Sequence, residues 1–143
     1  DAVRAVIRDY VATWNARRPS LLKQHWDDTL AEPIYVAEES DAMHDWSSIE
    51  AYWGAMDGTE VAIKIGEPRL QRLTGDVIAA LYDMHWRIRF ASHDHWKNPI
   101  GGNLRVSVVL ARRASGWKIV NYVEAPWASA VQVRKWLERD AQG

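Results

Sequence analysis

The sequence predicts an α+β domain in which helices occupy the first part of the chain and antiparallel strands occupy the second. Apolar residues at helical spacing mark residues 2–16, whereas alternation of apolar and polar residues marks residues 59–124. The chain has 143 residues, close to the commonest domain length, and its 48% hydrophobic and 26% charged residues are a globular composition. We therefore predict one domain over residues 1–143.

Two helices are predicted at the start of the chain. The first covers residues 2–16, where one face carries Val3, Val6, Ile7, Tyr10, Val11 and Trp14. Asn15 and the Arg17-Arg18-Pro19 stretch end this helix. Residues 20–26 indicate a short second helix, and we expect the two to form a helical lid.

A small hairpin and a third helix are predicted next. Residues 34–46 are extended on both sides of an acidic turn, Glu38 to Asp41, which is typical of a hairpin. Ser47 and Ser48 are expected to cap the third helix, and Gly58 is expected to end it.

The second half of the chain predicts an antiparallel sheet. Residues 59–73 alternate, and a longer strand follows whose apolar face carries Ile78, Ala80, Tyr82, Met84, Trp86, Ile88 and Phe90. Residues 104–110 and 117–124 repeat the alternation, so three long strands form a meander. Residues 127–140 have helical spacing and are expected to close the domain with a C-terminal helix.

Composition excludes several classes of protein. A net charge of −1 without a basic block argues against nucleic acid as a partner. The absence of cysteine excludes disulfides, thiolate zinc sites and cysteine nucleophiles. No apolar run is long enough for a membrane span, so we expect no membrane partner and take the cytoplasm as the default location.

Four segments resemble the nuclear-transport-factor-2-like superfamily in their order and spacing. They are Tyr10-Val11-Ala12 to Asn15, Trp26-Asp27-Asp28, DWSSIEAYW at residues 45–53 and GWKIVNYVE at residues 116–124. The superfamily includes steroid isomerases, scytalone dehydratase and SnoaL-like polyketide cyclases, and the resemblance covers almost the whole chain up to Pro126. It implies a cone-shaped, strongly bent antiparallel sheet wrapped around the N-terminal helices. It also implies a cavity on the concave face and a homodimer through the convex face.

The resemblance places the apolar strand faces inside this cavity. The residues expected to bind a substrate are Trp14, Tyr35, Trp53, Tyr82, Met84, Trp86, Val106, Val108 and Tyr122. Aromatic walls suit a flat hydrophobic ligand. The alternative is that these large side chains fill the cone and leave no pocket.

Three residues are candidates for catalysis. Alternation puts Glu124 on the inner face, where burial raises the pKa of a carboxyl and suits a general base or acid; the alternative is a solvated or arginine-paired residue at the strand end. Tyr10 matches the hydrogen-bond donor of steroid isomerases, or is simply a buried helix tyrosine. Glu38 lies in the acidic hairpin and is the third candidate, as a residue that contacts a ligand. The alternative is that it is an ordinary charged residue of a surface hairpin.

Two departures from the steroid isomerases weaken an equivalence with them. Their general-base aspartate falls near Pro33, next to Glu32, and their protonated acidic donor falls near Val108. Steroid-isomerase chemistry by that mechanism is therefore not expected for this chain.

Metal chemistry is not predicted. His93-Asp94-His95 has potential ligands but no third ligand at motif spacing, which favours a solvated turn. His85 shares the charged convex face. We expect no metal and no cofactor.

Two classes of function remain open. The first is a cofactor-independent isomerase, cyclase or dehydratase that acts on a small hydrophobic molecule by general acid–base chemistry. The alternative is a non-catalytic ligand-binding or dimerisation module of the same fold.

Overall fold

A curved, unclosed sheet of six strands forms the body of the protein, with helices at both ends of the chain. The computed structural model describes residues 1–90 and 98–143. Its helices are α1 (Ala2–Asn15), a 3-10 helix (Pro19–His25), α2 (Trp46–Gly54) and α3 (Ala130–Asp140). Its strands are β1 (Ile34–Val36), β2 (Glu60–Ile65), β3 (Arg69–Thr74), β4 (Val77–Arg89), β5 (Ile100–Arg113) and β6 (Gly116–Pro126). The α+β fold class and the C-terminal helix are confirmed.

The strand order explains how distant segments meet in one sheet. The order is β1-β6-β5-β4-β2, and β3 pairs with β4 beside β2. β4, β5 and β6 form the predicted antiparallel meander. β1 pairs with β6 in parallel, and Tyr35 lies opposite Tyr122. The alternation of residues along each strand does not reveal this pairing. The predicted hairpin is reduced to one bridge between Tyr35 and Met43.

Helix α1 packs its apolar stripe against the sheet. Asp1 caps the helix by accepting from the backbone N–H groups of Val3 and Arg4. At the other end, the Asn15 amide donates to the Ile63 carbonyl at 3.0 Å, and its oxygen accepts from the Ile63 N–H at 2.7 Å. Asn15 thus satisfies the backbone N–H and C=O of Ile63 in strand β2 and holds the helix against the sheet.

Side chains from both layers form a continuous core. α1 contributes Val3, Ile7, Tyr10, Val11 and Trp14, the meander contributes Leu104, Val106, Val108, Leu110 and Ile119, and Trp26 and Trp53 pack between. Each fully buried large apolar side chain stabilises the fold by about 1.5–3 kcal/mol. The alternation predicted for β4 is confirmed, because Ile78 to Met84 are buried at every second position.

Two local predictions for the third helix, its cap and its C-terminal end, are wrong. Helix α2 is capped by Asp45 and not by Ser47 or Ser48: the Asp45 carboxylate accepts from the Ser48 N–H at 2.7 Å, and the helix ends at Gly54. Residues 59–73 form two strands, β2 and β3, because the Gly-Glu-Pro segment at 66–68 interrupts them and proline lacks a backbone donor.

Helix α3 does not close the domain, so that expectation is also wrong. None of its residues is buried, and Trp136 is 43% exposed. The helix is held by local interactions instead: Ser129 and Gln132 form a capping box, and Arg134 pairs with Glu138. Within the described part of the chain, no helix has the length and apolar character to cross a membrane.

Candidate functional site

A cavity of about 350 Å³ opens between α1, α2 and the concave face of the sheet. A volume of a few hundred Å³ suits a small organic ligand. Its described lining residues are Tyr10, Val11, Trp14, Tyr35, Glu38, Glu39, Tyr52, Met56, Val61, Ile63, Met84, Trp86, Ile88, Phe90, Ile100, Leu104, Tyr122 and Glu124. The wall is therefore mostly aromatic and aliphatic, with a few acidic groups.

Glu124 is an acidic group inside this wall. Alternation along β6 places it on the same face as Tyr122, whose hydroxyl donates a 3.1 Å hydrogen bond to the Glu124 Oε2. Burial raises the pKa of Glu124 to about 8; the Tyr122 hydroxyl lowers it, and the charges of Glu39 and Glu38 raise it further. Near neutral pH the carboxyl is therefore mostly protonated, and the pH is within about one unit of the value at which half of it is ionised.

Tyrosines surround this carboxyl. Tyr35 stacks on Tyr122 with ring centroids 5.1 Å apart, and Tyr10 lies 5.3 Å from Tyr122. Burial raises the pKa of Tyr10, Tyr35 and Tyr122, so all three remain neutral and able to donate hydrogen bonds.

The hydroxyl of Tyr10 is buried among other aromatic side chains. Tyr10 is only 2% exposed, and its Oη makes no hydrogen bond of good geometry among the described residues. Trp14, Tyr35 and Tyr122 nevertheless lie close enough for hydrogen bonding to lower its pKa against the larger effect of burial. Although Tyr10 lines the cavity, the Oη itself is closed off from it, so a ligand reaches the hydroxyl only where these neighbours move.

The rim of the cavity carries two further glutamates, which follow β1. Glu39 accepts a 2.5 Å hydrogen bond from the Tyr52 hydroxyl. Burial raises the pKa of Glu38, and the neighbouring charge of Glu39 raises it further. The two glutamates therefore place negative charge at the rim of the cavity, close enough to Glu124 to raise its pKa.

The structure brings most of the predicted site residues together. Those that line the cavity are Tyr10, Trp14, Tyr35, Glu38, Met84, Trp86, Tyr122 and Glu124. Trp86 lies over Gly102 of β5, where a Cβ would be 3.2 Å from the indole Nε1. The absence of a side chain at Gly102 gives the Trp86 indole its room.

The remaining predicted residues lie in the core, outside the cavity wall: Trp53, Tyr82, Val106 and Val108. Along the β4–β5 ladder the cavity begins at the Met84–Leu104 pair, while the Tyr82–Val106 and Ala80–Val108 pairs pack fully. Because one strand face serves both the packed end and the open end of the cone, alternation alone does not separate them. Trp53 packs edge-on against Tyr35, with ring centroids 5.5 Å apart.

Several wall residues were not among the predicted site residues. Ile88 already shared the predicted apolar face of β4. Tyr52 and Met56 lie four residues apart, the spacing of one helix face, so their spacing was a usable signal. Val61 and Ile63 on β2 also line the wall. No sequence pattern indicated that the hydroxyl of Tyr52 would donate a hydrogen bond to Glu39.

The departures from the steroid isomerases remain visible in the structure. Pro33 is buried, Glu32 is exposed, and Val108 is a fully packed core residue. Neither Pro33 nor Val108 lines the cavity, whereas Tyr10 does.

Other polar clusters have structural roles or lie elsewhere. The Asp27 carboxylate, 7% exposed, accepts from the Arg113 Nε at 2.7 Å and from Thr29. His85 contacts Asn103 on the outer face. His93-Asp94-His95 lies outside the described residues. Within residues 1–90 and 98–143, no group of three or more His, Asp or Glu is arranged to hold a metal ion.

Solved structures of the nuclear-transport-factor-2-like superfamily share this fold. A superfamily protein from Salmonella enterica aligns with a TM-score of 0.74 at 19% identity, covering 90% of each chain. A ketosteroid isomerase-like protein from Erwinia carotovora atroseptica aligns with a TM-score of 0.70 at 11% identity over 90% of this chain and 95% of that one. A protein with a cystatin-like fold from Novosphingobium aromaticivorans aligns with a TM-score of 0.69 at 14% identity, covering 94% of this chain and 85% of that one. Identities this low show the fold alone.

The family model of the SnoaL-like domain matches residues 3–129. The chain therefore belongs to the SnoaL-like domain family, within the superfamily that the sequence resembles. No curated protein matches the chain.

Proposed function

We propose that this protein is a general acid–base enzyme, an isomerase, cyclase or dehydratase, that acts on a small hydrophobic, ring-containing molecule. The observation that carries the proposal is the position of the Glu124 carboxyl in the wall of an aromatic cavity that Tyr10 also lines. Such a pair supplies a proton-transfer group and a hydrogen-bond donor to one ligand.

Glu124 is suited to proton transfer at neutral pH. General acid–base catalysis is most efficient when the pKa of the group lies near the working pH. Burial raises the pKa of Glu124 to about 8, so the carboxyl gives up and takes back a proton at little cost. The Tyr122 hydroxyl, 3.1 Å from Oε2, orients the carboxyl.

Tyr10 would stabilise charge that develops on an oxygen of the substrate. Its hydroxyl stays neutral because burial raises its pKa, and it would have to turn from its neighbours Tyr35 and Tyr122 to donate to a substrate. A prepositioned donor in a dry site contributes more to catalysis than the same donor in water.

The walls favour an apolar, flat substrate. Trp14, Trp86 and Tyr35 provide aromatic surface, and Ile63 and Met84 complete it with aliphatic groups. Aromatic side chains prefer offset or edge contacts with other rings. The similar fold of a ketosteroid isomerase-like protein is compatible with a ring-containing substrate but does not identify it.

Ligand screening by thermal shift, followed by hydrogen exchange, tests this proposal. Steroid, terpenoid and aromatic polyketide compounds are screened, and compounds that raise the melting temperature are incubated in heavy water and examined by mass spectrometry for deuterium at carbon. We expect binding to be lost in Trp86→Ala. We expect deuterium incorporation to be lost in Glu124→Gln, while Glu138→Gln on the exposed helix α3 behaves as the parent protein.

The outcomes separate the two classes of function. Binding without exchange or turnover of any bound compound would refute the enzyme and leave a ligand-binding module. No binding in the cavity by any class of compound would refute both.

A non-catalytic association module is the second candidate, because apolar surface is exposed away from the cavity. Leu81 on the outer face of β4 is 49% exposed, and Trp136 and Leu137 of α3 are also exposed. Exposed apolar patches often mark protein contacts, and a homodimer through the convex sheet face would cover Leu81. Sedimentation of the parent and Leu81→Glu tests this: a dimer that dissociates in the variant supports it, and a parent monomer refutes it.

A further inference from the structure

A short turn after β1 lies against Glu124. β1 pairs in parallel with β6 as far as Val36, which lies opposite the residue before Glu124. The chain then turns at Glu38 and Glu39, both of which line the cavity. The Glu38 N–H lies close enough to the Glu124 carboxyl for hydrogen bonding to lower its pKa. Residues 37–40, which we call the rim turn, therefore form one side of the surroundings of Glu124.

The Tyr52 hydroxyl ties the rim turn to helix α2. It donates to the Glu39 Oε1 at 2.5 Å, and the Tyr52 ring packs on Tyr35 with ring centroids 5.7 Å apart. Within the described part of the chain, this is the one well-formed side-chain hydrogen bond of the rim turn, and the Ser40 hydroxyl has no partner. A hydrogen bond to a charged group shifts a conformational equilibrium by about tenfold or more. The bond from Tyr52 therefore contributes strongly to the position of the turn.

The access of water to Glu124 depends on that position. Glu124 lines the cavity and is neither fully buried nor exposed, so a small movement of its surroundings changes its solvation. When the rim turn moves away, water reaches the carboxyl and solvates its ionised form. Opening of the turn and ionisation of Glu124 therefore favour each other.

From these contacts we propose that Tyr52 is a positioning residue: through Glu39 it holds the rim turn against Glu124 and keeps water away from that carboxyl. Tyr52 acts on Glu124 through the turn, and it takes no part itself in proton transfer. This inference rests on the proposed function and adds to it a residue that sets the state of its proton-transfer group.

Opening of the turn changes the charges around Glu124 as well as its solvation. The titratable groups that face Glu124 among the described residues are Glu38 and Glu39 of the rim turn, Tyr10 of α1, Tyr35 of β1, Tyr52 of α2, Tyr82 of β4 and Tyr122 of β6. The two glutamates belong to the turn itself. Opening therefore takes away both the cover of Glu124 and the neighbouring negative charge, and each change lowers its pKa.

Titration of the Glu124 carboxyl carbon by NMR tests the inference without a ligand. The carbon-13 resonance is assigned by its absence in Glu124→Gln and is followed between about pH 5 and pH 9. Burial raises the pKa of Glu124 to about 8 in the parent protein. In Tyr52→Phe we expect this pKa to fall by about one unit, because the turn opens about tenfold more often. Glu50→Gln, an exposed change on the same helix, should leave the pKa unchanged.

The direction of the shift identifies its cause. If the hydroxyl of Tyr52 were lost without movement of the turn, the charge of Glu39 would be less compensated and the pKa of Glu124 would rise. A fall therefore requires that the turn opens.

A double-mutant cycle with Glu39→Ala separates the hydrogen bond from the packing of the Tyr52 ring. Glu39→Ala removes the acceptor and a negative charge, so it should lower the pKa of Glu124 by at least as much as Tyr52→Phe does. With the acceptor gone, Tyr52→Phe should cause no further fall. Glu39 is exposed, so Glu39→Ala keeps the test decisive if Tyr52→Phe does not fold. A Glu124 with an ordinary pKa in the parent, no fall in either single variant, or additive falls in the double variant would overturn the inference.

Failure of this inference is distinguishable from failure of the proposed function. If the pKa of Glu124 falls in Tyr52→Phe but no bound compound exchanges deuterium, the positioning role stands and the enzyme is refuted. If Glu124→Gln abolishes exchange while the pKa is the same in Tyr52→Phe as in the parent, the positioning role alone is refuted. If both hold, the pH profile of exchange in Tyr52→Phe should move down by the same amount as the pKa.

Discussion

Glu124→Gln should change how the stability of the fold depends on pH. In the unfolded chain a glutamate has a pKa near 4.5, whereas burial raises the pKa of Glu124 in the folded protein to about 8. Between these values the folded state holds a proton that the unfolded state does not. The parent protein therefore loses stability as pH rises through this window, and a neutral glutamine removes that loss.

The size of the effect follows from the two pKa values. Each pH unit in which only the folded state is protonated costs about 1.4 kcal/mol. From about pH 6 to about pH 9, with half-titration near 8, the accumulated loss of the free energy of unfolding is about 2–3 kcal/mol. The free energy of unfolding of Glu124→Gln should therefore rise relative to that of the parent protein by this amount over the same pH range.

Urea unfolding followed by tryptophan fluorescence measures the effect, since the chain has nine tryptophans. The parent protein, Glu124→Gln and Glu138→Gln are compared at several pH values. The stability of Glu138→Gln should depend on pH as that of the parent does, because Glu138 lies on the exposed α3. A constant difference between Glu124→Gln and parent over this range would refute the reasoning, because it would mean that Glu124 is solvated and titrates normally.

Three further substitutions test how the scaffold holds the cavity, all measured as urea unfolding free energies. Asn15→Ala removes both hydrogen bonds to Ile63 and should destabilise the fold by about 1–3 kcal/mol. Asp27→Asn breaks the pair with Arg113 and should cost about 1–3 kcal/mol at neutral pH. Because Thr29 and Arg113 hold the pKa of Asp27 below its ordinary value, the contribution of its carboxylate is lost as pH falls below about 4, and the difference should shrink there. Gly101→Ala puts a Cβ 2.6 Å from a carbonyl oxygen of β4 and should cost about 1–3 kcal/mol.

Each of these has an outcome that contradicts it. Unchanged stability in Asn15→Ala would mean that α1 is held by its apolar stripe alone. A cost of Asp27→Asn that persists in acid would argue against an ionised Asp27. Gly75→Ala, where nothing lies within 4 Å of the added Cβ, is the matched control for Gly101→Ala, and equal effects would exclude a steric cause.

Periodicity predicted the helices and strands because local patterns determine which face of an element is buried. The alternation of β4 and the apolar stripe of α1 are both found as expected. The parallel pairing of β1 was not predictable, since Ile34-Tyr35-Val36 contains no information about its partner strand. The cap at Asp45 was missed because three residues within one turn, Asp45, Ser47 and Ser48, are all good caps.

The candidate site was predictable to the extent that it follows from alternation. Tyr122 and Glu124 share a strand face, and the structure places both in the cavity wall. Which inward residues line a cavity and which pack depends on the curvature of the sheet, and so Tyr82 and Val106 could not be separated from Met84 by pattern. Glu39 and Tyr52 meet through tertiary structure alone.

The parallel contact of β1 with β6 leads us to expect a particular order of events in folding. The β4–β5–β6 meander joins strands that follow one another, whereas the rim of the cavity forms only when Tyr35 reaches Tyr122 across most of the chain. Contacts between distant residues carry a larger loop-closure entropy and form late. The sheet should therefore exist before the binding site does. A ligand would then stabilise an arrangement absent from the transition state, slowing unfolding while leaving the refolding rate nearly unchanged.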